Sequence, residues 1–152
     1  MKINNRLLPV LTLLFLLPNL LQAQDALPPV NQKVFEFCKN SMGKKIDRGE
    51  CWDLAKCALN YAEAEWESPY NFGDVVRPDK KTILVGDIIQ FENVKLSNGT
   101  TYPLHTAVVY EILGSGKYLI AHQNFSNVRK VNTRELDLRL LSKGSIVFYR
   151  PQ

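Results

Sequence analysis

The chain has 152 residues, 45% of them hydrophobic, with 19 Lys+Arg against 15 Asp+Glu, three cysteines and two histidines. That length makes one domain able to bury a core without a set of disulfides. Its +4 net charge is spread along the chain with no Lys/Arg block, which excludes a clustered phosphate-binding footprint and so argues against a nucleic-acid partner.

Lys2 and Arg6 precede an apolar run from Leu7 to Leu21, interrupted at Pro9, Thr12, Pro18 and Asn19, and Leu21-Gln22-Ala23 follows. A basic start, a short apolar core and a small residue at the cut predict a cleavable export signal over 1–23. An uncleaved anchor is the alternative. The first 23 residues carry two of the 19 basic and none of the 15 acidic residues, so residues 24–152 have a net charge of +2. The expectation is a soluble exported protein, periplasmic or extracellular, with no membrane span after signal removal. Residues 24–30, with Pro28-Pro29, read as an exposed lead-in to a domain over 31–152.

From Asn31, Val34, Phe37, Cys38 and Met42 recur at helical steps, and Gly43 ends that helix. A second helix is predicted from Cys51 to about Glu65, its apolar stripe being Cys51, Leu54, Ala55, Ala58, Tyr61 and Ala62, with Ser68-Pro69 closing it. Strands follow over 83–91, 104–113, 117–124, 128–131 and 145–149. The segment 69–81 reads as an irregular connection and 93–103 as a long loop or small hairpin. Two helices followed by about five antiparallel strands is a segregated α+β layout.

Three cysteines leave one over. Cys51 and Cys57 on one helix are about 9 Å apart along its axis, beyond disulfide reach. A Cys38–Cys57 staple with Cys51 free is the expectation; three reduced thiols and a Cys38–Cys51 bridge are the alternatives. A helix N-terminus favours a thiolate and supplies N–H groups for an oxyanion, which makes Cys51 the candidate nucleophile. A helix-starting cysteine is also often a small buried apolar residue. If a two-residue turn lies between Leu113 and Gly116, cross-strand indices sum to 229, so His105 faces Asn124 and shares its side of the sheet with His122. A cysteine, an imidazole and a third polar group, His122 or Asn124, are what thiol acyl transfer needs. The same histidines can equally be ordinary strand residues. No zinc-ligand spacing is present, so no metal or cofactor is expected. Trp52 could line a substrate groove or simply pack its helix, and Asp87 after Gly86 reads as a turn-former.

Four segments in order, Gly49-Glu50-Cys51-Trp52-Asp53-Leu54-Ala55, Val85-Gly86-Asp87-Ile88-Ile89-Gln90-Phe91, His105-Thr106-Ala107-Val108-Val109 and Ile120-Ala121-His122-Gln123-Asn124-Phe125, resemble the CHAP family (cysteine, histidine-dependent amidohydrolases/peptidases) and its NlpC-type relatives. The resemblance implies a papain-like fold, Cys51 as nucleophile, His105 as general base and peptidoglycan or its peptide fragments as substrate, cleaved through an acyl-enzyme by a monomer. The CHAP pattern has Glu where this chain has His122. That departure motivates a second reading, a catalytically silent papain fold that binds envelope fragments or a protein partner.

Overall fold

A proline in the first turn fixes φ where no N–H is needed, and the first helix of the computed structural model starts at such a residue: α1 spans Pro29–Asn40 and turns Asn31, Val34 and Cys38 inward. The structure describes residues 26–67 and 70–152; the expected signal segment and Ser68-Pro69 lie outside the described residues. The second helix, α2, spans Cys51–Tyr61 and buries Asp53, Leu54, Ala55, Ala58 and Leu59. Its start is fixed by the Glu50 N–H, which donates to Asp53 Oδ2 at 3.0 Å, satisfying one of the donors a helix start leaves open. Tyr61, expected in the apolar stripe, is 53% exposed.

The strands are β1 (Asp74–Val76), β2 (Ile88–Leu96), β3 (Thr101–Gly114), β4 (Lys117–His122), β5 (Asn132–Asp137) and β6 (Leu141–Arg150). They form one antiparallel sheet in the order β1-β6-β2-β3-β4-β5. Two strands differ from expectation. The anticipated strand over 128–131 is a single bridge, Phe125↔Val128, and the edge is instead β5, just beyond it. The short β1 lies in the segment read as irregular, and 93–103 is the tip of the long β2–β3 hairpin.

The two faces of the sheet bury different cores. Ile88, Val108 and Ala121 face the helices and pack with Val34, Cys38, Leu54, Ala55 and Ala58. The alternate residues Ile89, Phe91, Ala107, Val109 and Ile120 build a second core on the far face with Tyr102, Leu136 and Phe148. Every second residue changes face, so parity along a strand decides what a side chain meets.

All three cysteines are free thiols, which corrects the expected Cys38–Cys57 staple. Cys38 is wholly buried in the α1–α2 core, where burial pushes its thiol up to about 12. Cys57, turned about 120° from Cys51 on the same helix, is only partly covered; burial raises its thiol, opposed by the Lys56 charge and reinforced by Asp47 and Asp53.

Asp87 is more than a turn-former. Its carboxylate is fully buried and accepts Arg150 Nε at 3.1 Å, Arg150 Nη2 at 2.9 Å, Asn31 Nδ2 at 2.9 Å and the Leu84 N–H at 2.8 Å. This joins the start of α1, the entry to β2 and the end of β6. Gly86 beside it has φ +85°, and a Cβ there would stand 2.3 Å from the Asn31 carbonyl oxygen, so only glycine lets α1 approach. Arg150→Met strands a buried carboxylate and is expected to cost about 3–5 kcal/mol. Urea unfolding of the variant should show a lower midpoint at unchanged slope. Lys33→Met, which breaks an exposed pair with Glu63, should move stability by under about 1 kcal/mol.

Candidate functional site

Cys51 opens α2, and its position is set by the chain leaving β4. Gln123 is wholly buried; its side chain accepts the Ile46 N–H at 3.2 Å and donates to the carbonyls of Ile46 at 3.0 Å and Glu50 at 2.7 Å. Asn124 donates to the Glu50 carboxylate, which also pairs with Arg129 at 2.8 Å. The loop before α2 is therefore clamped to residues 123–129. Sequence reading missed Gln123; the polar run His122-Gln123-Asn124 at the end of an apolar strand was its only signal.

The Cys51 side chain is half-buried. Burial raises its thiol above the ordinary value; the backbone N–H groups of Thr106, Trp52 and Cys51 itself pull the other way, while the Glu50 charge adds to the rise. The Thr106 side chain has the parity of Val108; its hydroxyl is buried and donates to Gln90 Oε1 at 2.7 Å.

His105 has the other parity. It pairs with Phe91 across the β2–β3 ladder, lies with Ala107 and Val109 on the far face, and packs against the rings of Tyr102 at 5.4 Å, Phe91 at 5.9 Å and Phe125 at 5.9 Å between centroids. His122 joins it as expected: His105 Nε2 and His122 Nδ1 are 3.0 Å apart. The structure brings the two histidines together, and the residue after His105 is one whose backbone N–H acts on the Cys51 sulfur. Asn124 leaves the strand with φ +56° and turns its amide to Glu50. Trp52 packs in an aromatic cluster on the helix side, 5.2 Å from Trp66 and 5.3 Å from Phe72.

Burial holds His105 at about 3, with His122 pushing the same way. Burial likewise holds His122 at about 4, opposed by the Asn132 side chain and reinforced by the Arg134 charge. Both rings are neutral at physiological pH. Below about 6.5 the unfolded chain takes up protons that the folded pair refuses, so stability is full above that pH and falls as pH drops towards the folded values. Each histidine should contribute a loss of about 1.4 kcal/mol per pH unit. Urea midpoints between pH 7.5 and 5, a range above ordinary carboxylate titration, should fall with pH, and His105→Gln should roughly halve the slope.

Comparison with known proteins gives this geometry a family. A curated relative from Debaryomyces hansenii, "Altered inheritance of mitochondria protein 3", is 34% identical; the match covers 78% of this chain and 15% of the relative's length. Two solved structures, the crystal structure of Ly7917 and that of Ly7917 with the hydrolyzing product of MDP, align over 80% of this chain and 62% of theirs. Their TM-scores are 0.53 and 0.54, at 15% and 14% identity. At that identity the likeness shows the fold, a papain-like α+β domain. The family described as "AIM3/BBC1 Cysteine proteinase-fold domain" matches residues 21–152, and the chain belongs to it.

Proposed function

We propose that this papain-fold domain is catalytically silent and binds a protein partner. The carrying observation is that burial raises the Cys51 thiol and holds both histidines low, so the thiolate–imidazolium pair of an activated cysteine is not preformed. Thiol acyl transfer depends on the thiolate. Here the sulfur is acted on by backbone N–H groups, that of Thr106 among them, and the two histidines hydrogen-bond to each other. The small share of the Debaryomyces relative that this domain matches supports a module serving a longer chain. The finer hydrolase reading, an exported peptidoglycan amidase working through Cys51, His105 and His122 or Asn124, needs a thiolate that burial opposes, and the relative's name refers to mitochondrial inheritance.

Alkylation of the folded chain by iodoacetamide at pH 7 tests the silent site. Cys51 should react no faster than a free small-molecule thiol, and His105→Gln should leave that rate unchanged. A large drop in Cys51 reactivity on His105→Gln, or lysis of purified peptidoglycan that Cys51→Ala abolishes, restores the hydrolase.

A further inference from the structure

We propose that the surface around the loop leading into α2 is a docking face for an acidic segment of a partner protein. The fold assembles this face from three stretches that lie apart in the sequence. Lys39 stands in the last turn of α1, Lys44, Lys45 and Arg48 belong to the loop, and Arg129 and Lys130 follow β4; all six are exposed. Two backbone bonds join the stretches. The Gly43 N–H donates to the Val131 carbonyl at 2.9 Å, and the Val131 N–H donates to the Lys44 carbonyl at 2.8 Å. Gly49 draws them closer still. Its φ is +88°, and a Cβ there would stand 3.0 Å from Lys45 Cε and 3.1 Å from Arg129 Cβ, so both side chains lie against this one glycine.

The charge of this face is not balanced from within. Residues 39–56 and 128–132 carry seven basic side chains and three acidic ones. Each acidic one is already engaged: Asp53 with Arg48 and Lys56, Asp47 with Lys56, and Glu50 with Arg129. Lys39, Lys44, Lys45 and Lys130 meet no carboxylate among the described residues. The N-terminus of α2 adds partial charge of the same sign. Gathering like charges weakens a fold through self-repulsion. Packing does not require it, because the loop is already held from beneath by Gln123, bonded to the Ile46 N–H and carbonyl. Carboxylates brought by a partner would turn the repulsion into attraction, on a frame that needs no reordering to receive them.

Two observations favour a protein over a polyphosphate or an anionic bilayer. Asp47 and Glu50 keep partly exposed carboxylates inside the patch, and a uniformly charged backbone or lipid surface would have to approach them. Val128, an exposed apolar side chain, directly precedes Arg129 and Lys130, and such a mixture of apolar and charged groups is that of a protein interface. The choice of a protein rests also on the binding reading above; the charge imbalance does not.

The test is a titration of the full chain, followed by the amide signals of residues 39–50 and 128–131. The probes are a capped decapeptide with four glutamates spaced by glycine and serine, its glutamine counterpart, a short DNA duplex, and vesicles of phosphatidylserine and phosphatidylcholine. The glutamate peptide should shift these signals saturably, with the glutamine peptide about tenfold weaker, and added salt should weaken the glutamate peptide alone. Lys44→Gln with Lys130→Gln should weaken it about fivefold. Both side chains are exposed and without a carboxylate partner, so the double variant should fold with unchanged stability. Lys80→Gln with Lys81→Gln removes the same charge from an exposed pair outside the patch and should leave binding unchanged, which separates the patch from net charge. The docking face is overturned by no saturable shift at millimolar glutamate peptide, by equal binding of the glutamine peptide, or by equal loss in the two double variants. Duplex DNA or vesicles binding through Lys44 and Lys130 more tightly than the peptide overturns it as well. Any of these, with Cys51 still inert to iodoacetamide, removes the docking face and leaves the silent-fold reading standing; a reactive Cys51 with the peptide still bound does the reverse.

Discussion

Asp87 and Arg150 stand 63 residues apart and meet in the interior, two hydrogen bonds linking guanidinium to carboxylate. A buried ion pair is worth little unless its remaining lone pairs and protons are satisfied. Here Asn31 and the Leu84 N–H occupy the carboxylate's other positions, and Arg150 reaches the Thr82 carbonyl at 2.7 Å. The arrangement pins the first helix, the entry of β2 and the last strand to one point. The Asp87 carbonyl also accepts the Val109 N–H at 2.8 Å, so β3 is held there as well. The faces presented by Thr106 and His105 follow from that anchoring.

That layout explains what could be read from the residues and what could not. Both helices were legible because their apolar residues recur at steps of three and four on one side only. β5 was not: Asn132-Thr133-Arg134-Glu135-Leu136-Asp137 carries one strongly apolar residue, as an edge strand with one solvated flank can. The shared side of His105 and His122 was also legible, though by a compensating route. The turn pairs Gly114 with Lys117, one residue later than expected and with a sum of 231, and two irregularities further along restore the sum of 229 at Val108↔Ala121. Two single slips return each side chain to its original face.

Which face looks at the helices was not legible. Alternation reveals an inner face only when the other is polar. Ile88-Ile89 and Ala107-Val108-Val109 are apolar at every position because this sheet buries both sides. The His105-Thr106-Ala107 segment resembles a motif in which histidine and the small residue two places on share a side, and His105 and Ala107 do share one. Cys57 misled for a related reason: rotation about α2 identifies it as off the Cys51 line, but not whether the first helix lies on that side.

Burial therefore quiets both sets of reactive side chains. It raises the Cys51 thiol, with the Glu50 charge adding to the rise, and it keeps the two imidazoles neutral. The unsatisfied polar atoms are not divided evenly. Asn31 Oδ1 lies beside the Asp87 anchor, whereas Tyr102 Oη and His122 Nε2 both belong to the histidine face. Each such group costs about 1–3 kcal/mol, a large fraction of a small domain's margin. Packing alone would be better served by Phe at 102, so the Tyr102 hydroxyl is a local rule broken at the expense of stability.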